Sequence, residues 1–143
     1  MKYKSYYLLS LGLVILDQLT KQIVVSLFNL GESIVINSYL SWTYIQNTGA
    51  AFSILSGGGA IQKAFLLAVS LFVSLMVMVW IHKTPAIHRQ RLFGQFILLS
   101  GALGNLLDRA QYGYVVDFID VHYQNYYWPV FNVADSLIFI GVI

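Results

Sequence analysis

Residues 105–136 read NLLDRAQYGYVVDFIDVHYQNYYWPVFNVADS, and this stretch decides both the fold class and the candidate site. It contains four of the six acidic residues of the chain, Asp108, Asp117, Asp120 and Asp135, whereas the flanking sequence is almost entirely apolar. Carboxylates near a membrane are costly unless they are paired or solvated, so their concentration indicates a functional site. We therefore take Asp117 and Asp135 as a candidate catalytic pair at a membrane surface.

The composition is that of an integral membrane protein with one domain, residues 1–143. Hydrophobic residues make up 58% and charged residues 10%, against about 45–50% and about 25% in soluble domains. The net charge of +2 is too small to indicate a nucleic-acid partner. With no cysteine and only three histidines, none of them in an HExxH pattern, we expect no metal and no cofactor.

Four apolar runs predict four transmembrane helices, at about residues 6–30, 60–81, 92–107 and 129–143. Pro129 is suited to open the last helix. At helical rise that segment is only about 22 Å long, short of the ~30 Å hydrocarbon core, so we expect the last span to be truncated. The fold class is an all-α membrane protein with one non-helical insertion.

That insertion is the segment 31–59, which is rich in β-branched and aromatic residues. It predicts short strands at about residues 33–36 and 40–46. Because open strand edges are not tolerated in lipid, we expect a small extracytoplasmic β-sheet resting on the membrane. Residues 108–128 are dense in aromatic side chains and predict an interfacial loop.

Charge placement predicts the topology. Cations cluster at the N-terminus, where Lys2 lies, and in the loop 82–91, and positive loops stay cytoplasmic. Four spans then place both termini in the cytoplasm. Asp117, Asp135 and Asn47 all come to the outer face.

Two carboxylates that share a site do not both ionise cheaply, so one keeps a proton. The ionised member can take a proton from a bound water while the protonated member hydrogen-bonds the carbonyl under attack. This is a peptide-hydrolysing arrangement. Either aspartate could instead cap a helix. Asp108 and Asp120 are expected to be supporting or solvated, and His122 is a less favoured candidate base.

Asp17 and Lys21 are four residues apart in the first span, so they share a helix face. Two interpretations remain open. The pair can be self-neutralised with Lys21 extending to the interface, or it can brace a polar site inside the protein.

The chain resembles the lipoprotein signal peptidases (signal peptidase II), bacterial aspartyl peptidases of the inner membrane. The resemblance rests on five segments that occur in the family's order and spacing. They are DQLTK at 17–21, NTGAAF at 47–52, GALGNLLDR at 101–109, GYVVDF at 113–118 and FNVADS at 131–136.

This resemblance implies an aspartic endopeptidase that removes the signal peptide from prolipoproteins, cleaving N-terminal to a diacylglyceryl-modified cysteine. Its partners would be these precursors and membrane lipid, with the enzyme a monomer in the cytoplasmic (inner) membrane. The implied catalytic dyad is Asp117 and Asp135, and the structural polar pair is Asp17 and Lys21. The implied substrate-binding or site-supporting residues are Asn47, Asn105, Asp108, Arg109 and Asn132.

Two other classes of function stay open at this point. A small transporter would use Asp17, Lys21 and the outer aspartates as relay groups, although the middle of the second span offers only Ser70 and Ser74 as polar residues. A non-catalytic membrane scaffold would tolerate loss of the carboxylates, but it gives no reason for their presence.

Overall fold

The computed structural model describes residues 3–49 and 59–143. Lys2 and residues 50–52 of the second motif, on which parts of the sequence predictions rest, lie outside these ranges. The helices are α1 (Lys4–Leu27), α2 (Gly59–Lys83), α3 (Arg89–Tyr112) and α4 (Val133–Val142). The strands are β1 (Ser33–Asn37), β2 (Leu40–Asn47), β3 (Val115–Tyr123) and β4 (Tyr126–Tyr127).

Within the described residues, α1 and α2 are the two helices that are long and apolar enough to cross a membrane. They have 24 and 25 residues and mean hydropathies of 1.6 and 2.6. Their outward side chains stay exposed in the isolated chain, as Phe72 at 66% illustrates. Such faces suit lipid rather than water. The described part of the chain is mostly helical with a small sheet, as predicted.

Helix α3 is the centre of the fold and packs against α1, α2 and α4. It contains buried polar side chains, including Gln95, Ser100 and Asn105. These polar residues make the helix less apolar overall. Its glycines allow close packing: a Cβ at Gly101 would collide with the carbonyl oxygen of Ala134 at the start of α4. The small residues in this helix therefore permit close approach of a neighbouring helix.

The four strands form one antiparallel sheet in the order β1-β2-β3-β4. The predicted strands at 33–36 and 40–46 are confirmed as β1 and β2. The predicted loop at 108–128 is wrong, because α3 continues to Tyr112 and β3 begins at Val115. Gly113, in the left-handed conformation at φ 76°, makes this abrupt change of direction possible.

Strand β3 forms because its aromatic and β-branched side chains have a core to pack against. Val116 and Phe118 lie in an apolar cluster with Val24 of α1 and Tyr44 of β2. Trp42 stacks on Phe118 with ring centroids 5.4 Å apart. Some of the aromatic side chains that predicted an interfacial loop at residues 108–128, such as Phe118, therefore belong instead to the apolar core beneath the sheet.

The last helix begins later than predicted. Residues 129–132 are not helical, because Phe131 forms an antiparallel bridge with Ile119 of β3. The Ile119 amide donates to the Phe131 carbonyl at 2.7 Å, and the Phe131 amide donates back at 3.1 Å. Asn132 follows as the N-cap, and α4 starts at Val133. This bridge brings the start of α4 beside β3.

Candidate active site

Asp117 lies on β3 and is 2% exposed. It pairs across the sheet with Ile45, and Asn47 lies two residues further along β2 on the same face. Asn47 Nδ2 donates to Asp117 Oδ2 at 2.9 Å, and Asn132 Nδ2 donates to Asp117 Oδ1 at 2.6 Å. Each oxygen of this carboxyl group thus receives one amide donor.

The pKa of Asp117 is raised to about 6. Burial is the main cause, because it disfavours the charged form. The hydrogen bond from Asn47 opposes this effect, the charge of Asp135 adds to it, and the hydrogen bond from Asn132 opposes it again. Burial therefore moves the pKa of this carboxyl group toward neutral pH, the range in which general acids and bases operate.

Asp135 lies in the first turn of α4, where its own amide donates to Asn132 Oδ1 at 2.8 Å. The Asn132 amide donates back to Asp135 Oδ2 at 3.3 Å, which completes a capping box. Asn105 Nδ2 of α3 donates to Asp135 Oδ1 at 2.7 Å. The two oxygens of this carboxyl group thus each accept one amide donor, from Asn105 and from the Asn132 backbone.

Asn132 connects the two aspartates. Its side chain donates to Asp117 while its backbone amide donates to Asp135, so both carboxyl groups lie within hydrogen-bond distance of one residue. Its Nδ2 also lies 3.2 Å from Asn105 Oδ1 and 3.2 Å from the Val116 carbonyl oxygen. The helix cap and the candidate dyad are therefore one hydrogen-bonded unit.

A buried charge cluster lies behind Asn105. Lys21 Nζ contacts Asp17 Oδ2 at 2.9 Å, Asp108 Oδ2 at 3.0 Å and Asn105 Oδ1 at 3.1 Å. Lys21 is 2% exposed, so the interpretation in which it extends to the interface is wrong. Asp17 Oδ1 also accepts the backbone amide of Ala134 at 2.8 Å. The cluster thus joins α1 and α3 to the start of α4.

Gln18 belongs to this cluster, and the sequence interpretation missed it. Its Nε2 donates to Asp108 Oδ1 at 2.9 Å and lies 3.2 Å from both Asp17 Oδ2 and the Gly104 carbonyl oxygen. Asp108 in turn accepts the Val116 amide of β3 at 3.0 Å. The position of Gln18 in a mostly apolar span, next to Asp17, is the sequence signal that could have identified it.

Arg109 lies on α3 beside the dyad. Its Nη1 donates to Ser70 Oγ of α2 at 3.2 Å, a partner that sequence reasoning considered only for a transport path. Its Nε is buried and has no hydrogen-bond partner within residues 3–49 and 59–143. The guanidinium charge interacts with Asp135, Asp117 and Asp108. Arg109 is therefore held between Ser70 of α2 and the carboxyl groups of the site.

Two apolar clefts adjoin the site. One, of about 410 Å³, lies between α2, α3 and α4, and Ser70, Asn105 and Arg109 are the polar residues in its mostly apolar lining. The other, of about 450 Å³, is lined by Asp135 together with aromatic side chains that include Trp128 and Phe139. An apolar chain could thus approach the dyad from either side of α4.

Asp120 and His122 lie apart from this arrangement. They are three and five residues beyond Asp117 on β3, so they point to the opposite face of the strand. Asp120 accepts a hydrogen bond from Thr43 at 2.9 Å, and His122 stacks on Tyr127. The structure does not bring either of them to the dyad.

Comparison with known proteins gives consistent matches over nearly the whole chain. The family model described as signal peptidase (SPase) II matches residues 9–143. Proteins named lipoprotein signal peptidase are similar to this chain in Alteromonas mediterranea, with 42% identity over 89% of this chain and 70% of the relative. In Pseudoalteromonas translucida the identity is 44% over 93% of this chain and 80% of the relative. A solved structure described as a bacterial membrane enzyme, determined by the in meso method at 1.9 Å resolution, has 35% identity and a TM-score of 0.86, covering 97% of this chain and 88% of its own.

Proposed function

The chain belongs to the signal peptidase II family, and on that premise we propose that it removes signal peptides from prolipoproteins with Asp117 and Asp135 as the catalytic dyad. The observation that carries the dyad assignment is the convergence of both carboxyl groups on Asn132. Two aspartates from separate elements, a strand and a helix, are held by one amide-bearing residue.

In the proposed mechanism Asp117 carries the proton and Asp135 is the base. The pKa of Asp117, raised to about 6 chiefly by burial, supports its role as the acid. The position of Asp135 in the first turn of α4, where Asn105 and Asn132 donate to its two oxygens, supports its role as the base. Asp135 takes a proton from water, which attacks the scissile carbonyl carbon, while Asp117 gives its proton to the carbonyl oxygen. The C–N bond of the resulting tetrahedral intermediate then breaks, as Asp135 passes its proton to the leaving amine and Asp117 takes a proton back from one hydroxyl group, which leaves a carboxyl group on the signal peptide.

The substrate we propose is a precursor with an apolar signal peptide and a diacylglyceryl group on the cysteine that follows the cleavage site. Two apolar clefts, one lined by Asp135 and the other by its hydrogen-bond partner Asn105, suit such a molecule, because both the peptide and the acyl chains are apolar. Arg109, which lines the first cleft, carries guanidinium donors that suit a substrate carbonyl group. The enzyme acts as a monomer and needs no cofactor.

Cleavage of a lipidated precursor by the purified protein tests the dyad. Asp117→Asn and Asp135→Asn should each reduce kcat/KM by at least about 100-fold, because each removes one partner of an acid–base step. Asp120→Asn is the matched control, since this aspartate lies on the same strand but on the opposite face. It should retain the activity of the unaltered enzyme. Substantial cleavage by either dyad variant would refute the assignment.

We also propose four spans in the bacterial inner membrane, with both termini in the cytoplasm and the dyad near the outer face. The cations of the loop between α2 and α3 support this orientation. The chain has no cysteine, so single cysteines report position cleanly. A membrane-impermeant maleimide applied to cells with a permeabilised outer membrane should label Tyr126→Cys and not Ile87→Cys. The reverse pattern would invert the topology.

A further inference from the structure

We propose that Lys21 is a positioning residue for the proposed reaction: it fixes the orientation of the Asn105 amide and thereby places the donor that holds Asp135. This inference rests on the proposed function, because it assigns Lys21 a part in the same reaction. It goes beyond the structural ion pair with Asp17.

Donor chemistry determines how Asn105 must face. A lysine ammonium group has three donors and no acceptor, so the atom of Asn105 that faces it must be the carbonyl oxygen. Lys21 Nζ lies 3.1 Å from Asn105 Oδ1, and Asn105 Nδ2 then lies 2.7 Å from Asp135 Oδ1. If the Asn105 amide were flipped, its Nδ2 donor would face the Lys21 ammonium donor, and its Oδ1 acceptor would face the Asp135 carboxyl oxygen.

The same orientation acts on the second aspartate. Asn105 Oδ1 also lies 3.2 Å from Asn132 Nδ2, which in turn donates to Asp117 Oδ1 at 2.6 Å. With the Asn105 oxygen held toward Lys21, the Asn132 amide group is directed between Asn105 and Asp117. The Lys21 ammonium group therefore orients the side-chain amides of both Asn105 and Asn132, although it contacts neither catalytic carboxyl group.

The remaining contacts of Lys21 hold it in place. Its other two donors are used by Asp17 and Asp108 at 2.9 and 3.0 Å, and its side chain is 3% exposed. Each aspartate is itself fixed by a backbone amide, Asp17 by Ala134 at the start of α4 and Asp108 by Val116 of β3. The ammonium group thus has a position determined by the two elements that carry the dyad.

The experiment measures kcat, KM and the thermal midpoint on lipidated precursor for Lys21→Met. We expect kcat to fall about 100-fold, because a small misplacement of a catalytic group has an effect of that size, with KM unchanged. Ser10→Ala is the matched control, since it removes another buried contact between α1 and α3, the hydrogen bond from Ser100 Oγ at 2.9 Å. It should lower the thermal midpoint and leave kcat unchanged.

Lys21→Met alone leaves two buried carboxylates facing each other, so a second variant protects the fold. Asp17→Asn/Lys21→Met removes one negative and one positive charge, and the amide oxygen introduced at position 17 can still accept the Ala134 amide. This variant should fold and show the same loss of kcat. In an Asn105→Ala background, adding Lys21→Met should lower kcat much less than it does in the unaltered enzyme, because only the direct charge interaction of Lys21 with Asp117 then remains to be lost.

A folded variant without Lys21 that retains the kcat of the unaltered enzyme would overturn the inference. Additive losses from Lys21→Met and Asn105→Ala would overturn it too, and so would failure of both Lys21 variants to fold, since Lys21 would then serve the fold alone. The proposed function fails separately: it requires cleavage by the unaltered enzyme and its loss in the Asp117→Asn variant, whatever Lys21 does.

Discussion

Replacing Asn132 by serine should separate the helix cap from the chemistry. Serine is as good an N-cap as asparagine, so its hydroxyl group can still accept the Asp135 amide. It does not supply the Nδ2 donor that lies 2.6 Å from Asp117 Oδ1. The substitution thus removes one hydrogen bond from the carboxyl group of Asp117 and preserves the start of α4.

The magnitude follows from the lost bond. A hydrogen bond to a charged group contributes about 1.5–3 kcal/mol, and one pKa unit corresponds to about 1.4 kcal/mol. The Asn132 bond lowers the pKa of Asp117, so its removal raises that pKa from about 6 by about 1–2 units. Because kcat/KM reports the groups of the free enzyme, its decline at high pH should move upward by the same amount.

The assay is the pH profile of kcat/KM on lipidated precursor, with the thermal midpoint measured in parallel. Asn132→Ala serves as the comparison, because it loses the same donor and the cap as well. Both variants should show the same shifted decline, while Asn132→Ala should be less stable than Asn132→Ser by about 1 kcal/mol. A decline at the original pH in Asn132→Ser, or one moved downward, would refute the role of Asp117 as the acid.

Three further outcomes are expected. Asn47→Ala removes the other donor to Asp117 and should also move the decline of kcat/KM upward, which the same pH profile checks. Because the pKa of Asp117 is raised, the free energy of unfolding of the unaltered protein should fall by about 3 kcal/mol as the pH rises from about 4 to about 6. Thermal midpoints measured across that pH range should not show this decrease in Asp117→Asn. Gly104→Ala should destabilise by about 1–3 kcal/mol, because its Cβ would lie 2.5 Å from Asp17 Oδ2, whereas Gly12→Ala, with nothing within 4 Å, should not lower the thermal midpoint.

Local pattern predicted the elements whose partners lie nearby in the chain. The β-branched stretch after α1 predicted β1 and β2, because a hairpin pairs neighbouring residues. Long apolar runs predicted α1 and α2, and both helices are long and apolar enough to cross a membrane. The same approach failed for β3, whose strand character depends on packing against Trp42 and Tyr44, residues about 70 positions earlier.

The candidate site divides in the same way. The sequence indicated Asp117 and Asp135 because carboxylates are rare in this chain, and a rare residue type can be recognised from the sequence alone. It did not indicate Gln18, the role of Ser70 beside Arg109, or which atom of Asn105 faces Lys21. Those depend on donor and acceptor geometry between helices that are distant in the chain.

Taken alone, the sequence determined the membrane character of the chain, because composition and apolar run length are properties of the sequence itself. It also placed Asp17 and Lys21 on one helix face through their spacing. Only the tertiary structure decided that Asp117 and Asp135, 18 positions apart, both accept hydrogen bonds from Asn132. That arrangement requires the bridge between Phe131 and Ile119, a pairing that exists only once β3 and the start of α4 lie side by side.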